Sequence, residues 1–170
     1  MVYSSYLVIW SEPEKEEHLR NVFVTSGPMI HELTHLVVDY ITGGNVPRWV
    51  TEDLSQYEEY RLTGFKFGEP AGLLEQTPYF FKTMEEGFDE LPDQTLAYWQ
   101  SLSAIQYIVE EYGKDSVHQI LKVLAGGDSI NEAMYEVLGV AQKEFQADWW
   151  RWVTVKRGFL NNSRQELKAF

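Results

Sequence analysis

Residues 29–40 read MIHELTHLVVDY. Apolar side chains dominate, as in a helix packed into a core, yet His31, Glu32 and His35 interrupt the run. On an α-helix, positions i and i+4 lie one turn apart on nearly the same face, so His31 and His35 project side by side. Two neutral imidazoles so placed can share one metal ion, and zinc takes such nitrogens at ~2.0–2.1 Å. Glu32 is rotated by roughly 100° from His31 and reaches a water on that ion without being a ligand. H-E-x-x-H thus supplies two ligands and a general base from one rigid element. Two core histidines satisfied by backbone groups would explain the imidazoles but not the glutamate at this offset.

The flanks define the helix. SGP at 26–28 starts it, with Pro28 in a first turn where a missing N–H costs nothing. TGGN at 42–45 ends it. Pro47 then opens a second helix, expected over 47–61. The link ITGGNVP is short, so the two helices are antiparallel neighbours. A catalytic zinc takes a third protein ligand and keeps a fourth position open. The second helix offers Glu52, Asp53, Glu58 and Glu59. Glu52 falls in its first turns, opposite the end of the first helix that carries His35. Asp53 is shorter and turned away, and Glu59 shares the Glu52 face two turns farther on. Glu52 is therefore the expected third ligand, with His31 and His35. A ligating histidine normally donates its other N–H to an acceptor. Gln56 is the candidate for His31 and Asp39 for His35, each equally readable as a surface residue.

Composition narrows the partners. The 170-residue chain carries 26 acidic against 14 basic residues, a net charge of −12. Phosphate binding needs concentrated Lys and Arg, so a nucleic-acid partner is not expected. The mildly basic end, Lys156 and Arg157 then Arg164 and Lys168, reads as solvated. With no cysteine, a disulfide scaffold and a thiolate zinc site are excluded. No apolar run approaches the ~18–20 residues of a membrane span. Residues 1–10, MVYSSYLVIW, lack the basic start and apolar core of a signal peptide, although the chain also reads as a domain of a longer secreted or membrane-tethered protein.

Residues 2–10 and 20–26 are rich in Val, Ile, Tyr and Phe and read as strands, the second a candidate to line a cleft. His18 lies between them among charges and reads as exposed, as does His118 in a polar helix. Residues 64–78, with three Gly and two Pro, read as a loop or a very short helix. Helices are expected over 94–112, 114–125, 129–138 and 141–157, with a polar tail at 161–170. Trp149, Trp150 and Trp152 cannot all face one core from one helix. The expected fold is α+β and predominantly helical: one domain over 1–170, with a small N-terminal sheet and the H-E-x-x-H helix.

HELTHLVVDY followed by PRWVTEDLSQYEEY resembles the gluzincin metallopeptidases, above all the peptidase MA-like domains. The second motif of those domains usually reads Pro, Trp, then Glu-Gly and a Tyr-containing helix; here Asp53 stands where Gly is usual and Ser55 where Ala is common. The first motif also resembles the thermolysin active-site helix. The 16 residues between His35 and Glu52 are slightly fewer than in thermolysin and the large aminopeptidases. The resemblance implies a zincin-like domain with one catalytic zinc on His31, His35 and Glu52, Glu32 as the base, and a peptide or protein substrate. A weaker likeness over 97–157 implies Tyr98 as the residue whose hydroxyl steadies the oxyanion; packing in the core is its alternative. Two other functions fit the same ligand set: a zincin fold that binds metal or a partner without turnover, and a zinc amidohydrolase acting on non-peptide substrates.

Overall fold

The structure is a computed structural model and describes residues 28–65 and 68–167, with side chains to residue 156. Among the described residues seven α-helices follow in order: α1 Pro28–Thr42, α2 Arg48–Thr63, α3 Phe81–Gly87, α4 Gln94–Tyr112, α5 Lys114–Ala125, α6 Ile130–Leu138 and α7 Gln142–Leu167. Single 3₁₀ turns at Leu73–Glu75 and Phe88–Glu90 punctuate the connections. The expected α+β architecture is corrected here. The described residues contain no strand, and the fold they make is all-α. The strand readings at 2–10 and 20–26 lie outside the described residues. They rested on β-branched and aromatic content, a preference that counts only where a pleated, half-buried surface exists to receive it. From Pro28 onward the described residues pack helix on helix.

Helix α2 is the centre of the arrangement, with α1 on one side and α4 on the other. α5 covers both α1 and α4, and α7 closes the far side against α3, α4 and α6. The turn from α1 to α2 depends on Gly43 and Gly44, at φ +61° and +79°, a region costly for any residue with a Cβ. Pro47 caps α2 from extended backbone rather than occupying its first turn. At the other end Gly64, at φ +76°, returns its N–H to the Tyr60 carbonyl.

The core is aromatic. Trp49, Phe81, Phe145 and Trp149 are each fully buried, and Phe81 packs against the other three at ring separations of 4.8, 5.5 and 5.4 Å. Trp149 donates its indole N–H to Ser103 on α4 at 3.1 Å, while Trp150 and Trp152 remain partly exposed. The extended segment before α3 is held from two helices. Gln100 on α4 bonds both the N–H and the carbonyl of Tyr79, and Gln146 on α7 accepts the N–H of Phe81. This anchors α3 and the Phe88–Glu90 turn beside the N-terminus of α2.

Candidate metal centre

Antiparallel packing of α1 and α2 sets the register of the site. His35, midway along α1, faces Thr51, early in α2; His31, one turn earlier, faces Glu59, two turns later. Between these contacts lies Glu52. Its Oε2 is 3.3 Å from His31 Nε2, and its Oε1 is 3.6 Å from His35 Nε2. The imidazoles stand edge to face with centroids 4.8 Å apart. One ligand atom from each of His31, His35 and Glu52 lies within 4.8 Å of the others, a grouping compatible with a metal site.

The remaining ring nitrogens show that the donor set fits a metal. A metal on Nε2 requires the imidazole proton on Nδ1, where an acceptor must receive it. Glu59 Oε2 stands 3.2 Å from His31 Nδ1, and Thr51 Oγ1 stands 2.8 Å from His35 Nδ1. Both Nε2 lone pairs then converge on the side where Glu52 presents its carboxylate. The acceptors are not those the sequence pointed to. Gln56 is buried, but its amide donates weakly to the Tyr98 carbonyl at 3.5 Å, and Asp39 is exposed. Glu59 was legible as lying on the Glu52 face; its reach back to His31 follows from the antiparallel register. Thr51 carried no signal beyond its place beside Glu52.

The electrostatics of the pair differ. Burial opposes a charge on His31, but hydrogen bonds to Glu52 and Glu59, and their charges, outweigh it and lift its pKa to about 9. His35 is held below the ordinary histidine value by burial, with the His31 and Arg48 charges adding to the effect and Glu52 and Glu32 opposing it. Glu52 is held low despite burial, by its hydrogen bond from His31 and the charges of Arg48 and both imidazoles. It enters the site as a carboxylate.

Glu32 is exposed on α1, close enough for its charge to act on His35. Tyr98 reaches the site from α4. Its ring meets Phe88 edge to face at 5.2 Å, and the charges of Glu52, Arg48 and Asp89 all act on its hydroxyl. Burial first, then Glu52, pushes its pKa to about 12, so the phenol keeps its proton at neutral pH. Arg48, one turn before Glu52, gives Nη2 to Glu52 Oε1 at 2.6 Å and turns Nε toward Asp89 at 3.6 Å. His118 is exposed on α5, as its polar surroundings predicted.

Behind Glu52 runs a buried polar seam between α2 and α4. Asp53 has no exposed surface, and burial pushes its carboxyl well above the usual range, with the Glu52 charge adding to the effect. Ser101 faces it from α4 without a well-formed hydrogen bond, and Ser55 Oγ in the same helix as Asp53 is also unpaired among the described residues. Asp53 is turned away from the histidines, as the sequence indicated.

A family model described as the peptidase MA superfamily matches residues 19–155, and with them the whole of this constellation. No curated protein and no solved structure matches the chain.

Proposed function

The chain belongs to the peptidase MA superfamily, and on that premise we propose that it is a zinc-dependent peptidase of the gluzincin type, with His31, His35 and Glu52 as the ligands of one zinc ion. The observation that carries the reading is the convergence of both Nε2 atoms on Glu52, with Glu59 and Thr51 within hydrogen-bond distance of the two Nδ1 atoms. Two nitrogens and one carboxylate oxygen form the donor set that zinc takes in catalytic sites. Zinc bound there would lower the pKa of a water toward ~7 and polarise the scissile carbonyl of a peptide.

The chain's own residues supply the rest. Glu32 takes the proton of the attacking water at its carboxylate and later passes it to the leaving amine. It is suited to this because it sits on the same helix as the two histidines, one position from His31, and is not engaged by Glu59, Thr51 or Arg48. Tyr98 donates a hydrogen bond from its hydroxyl to the carbonyl oxygen as that oxygen gains charge. Its retained proton and its electrostatic coupling to Glu52 and Arg48 support that role. Glu59 and Thr51 fix the orientation of the imidazoles.

Two measurements on purified protein test the proposal. Metal analysis should find about one zinc per chain, since one such site is built, and His35→Ala should lose most of it. Digestion of a peptide library should be abolished by a chelator and restored by zinc. Full zinc retention by His35→Ala would overturn the ligand assignment. A zinc-loaded chain that cleaves no peptide would overturn the peptidase reading in favour of a metal-binding module.

A further inference from the structure

We propose that Arg48 is a positioning residue for the metal: by holding Oε1 of Glu52, it restricts Glu52 to a single ligating oxygen and so keeps a fourth coordination position open. The inference rests on the reading of His31, His35 and Glu52 as zinc ligands.

A carboxylate can bind a metal through one oxygen or through both. Nothing in the chemistry of Glu52 alone selects the first. Its side chain is only 3% exposed, so each oxygen must find its partner inside the protein. Oε2 faces His31 Nε2 at 3.3 Å, and Oε1 is taken by Arg48 Nη2 at 2.6 Å. An ion pair at that distance, with its carboxylate buried, is among the stronger polar contacts available to a side chain. It is also fixed by the helix itself. Arg48 and Glu52 are one turn apart on α2, so the guanidinium reaches back along the helix onto the carboxylate. From the other side, Asp89 in the Phe88–Glu90 turn draws the same guanidinium through its Nε. Arg48 is thus held between two acids, and its hold on Oε1 does not depend on the metal.

Removing Arg48 leaves Oε1 buried with no strong donor. The other group near it is His35 Nε2, at 3.6 Å, which is itself a proposed ligand. The electrophile left to satisfy Oε1 is the metal, and Glu52 would then bind through both oxygens. This fourth protein donor atom would crowd the position on which the hydrolytic chemistry relies and, with the water still bound there, would raise the ion from four- to five-coordinate.

Cobalt(II) substitution reads this directly, because a four-coordinate cobalt ion absorbs visible light several-fold more strongly than a five-coordinate one. The cobalt-loaded wild type should show the intense bands, and Arg48→Met should lose intensity several-fold at equal cobalt content. Arg48→Lys, which keeps a charge and a donor, should recover most of it, which a loss of packing would not allow. Asp89→Asn loosens the guanidinium without touching a proposed ligand and should shift the bands in the same direction by less. Should Arg48→Met fail to fold, Asp89→Asn and Arg48→Lys carry the test. Bands of equal intensity in wild type, Asp89→Asn and any folded Arg48→Met, weak bands in the wild type, or no recovery in Arg48→Lys would each overturn the proposal. A wild type that takes up no cobalt and no zinc would instead remove the metal reading beneath it.

Discussion

His31 stands between two buried carboxylates, which makes its proton a sensitive test of the geometry. The hydrogen bonds and charges of Glu52 and Glu59 overcome the cost of burial and raise its pKa from 6.5 to about 9. Only 17% of the side chain is exposed, so solvent screens little of this. A proton held with that pKa in place of the ordinary one is worth about 3 kcal/mol, at ~1.4 kcal/mol per tenfold in affinity. The folded chain binds it more tightly than the unfolded chain. The stability is therefore fully present below pH 6.5 and is lost as pH rises through about 9. The assay is denaturant unfolding of chelator-treated wild type and His31→Gln, at about pH 6 and about pH 9.5. Subtracting the variant removes the other titrating groups. The wild-type advantage should shrink by about 3 kcal/mol between the two conditions. NMR of the imidazole nitrogens in the same sample should place the His31 midpoint near 9. A midpoint near 6.5, with an advantage that does not change with pH, would refute the placement of Glu52 and Glu59 on this ring.

Glu59→Gln should weaken zinc binding by ~10–100-fold, as loss of an acceptor behind a ligating histidine does; unchanged affinity in a chelator competition would remove Glu59 from the site. Asp53→Asn should raise the melting temperature, and more at about pH 8 than at about pH 4. The folded state keeps the Asp53 proton that the unfolded chain releases, so the wild type loses stability as pH rises. A gain that is equal at both pH values would contradict that. Tyr98→Phe should slow peptide cleavage on the order of 10²-fold with zinc content unchanged; an unchanged rate would reduce Tyr98 to a packing partner of Phe88.

The helices were legible where local signals and burial agree. Pro28 and the Gly43–Gly44 pair bound α1 at the residues expected, and α4 and α5 match their predicted spans of 94–112 and 114–125. α7 runs on to Leu167, through much of the polar tail expected at 161–170, because nothing in that tail breaks a helix. The ligand grouping was legible because i, i+4 spacing on α1 and a short link to α2 are geometric constraints that any packing must respect. The acceptors behind it were not. Thr51, Glu52, Asp53, Ser55, Gln56 and Glu59 are all buried in α2. Hydrophobic patterning assigns such residues to the surface, and they are inside because α1 and α4 enclose the helix from two sides. Asp39 shows the converse, since the short α1–α2 turn leaves it outside. The α+β expectation rested on the composition of 2–10 and 20–26, which lie outside the described residues and carry no information about what those segments pair with.

The central claim is that this chain cleaves peptides with Glu32 moving the proton at a zinc site. The most direct measurement is the rate of peptide cleavage by zinc-loaded wild type and zinc-loaded Glu32→Gln at equal metal content. The amide is nearly isosteric and Glu32 is not a proposed ligand, so zinc content and melting temperature should stay the same. Cleavage should fall by ~10²–10⁴-fold if the carboxylate carries the proton. Equal rates in the two proteins would contradict the account, whatever metal the histidines hold.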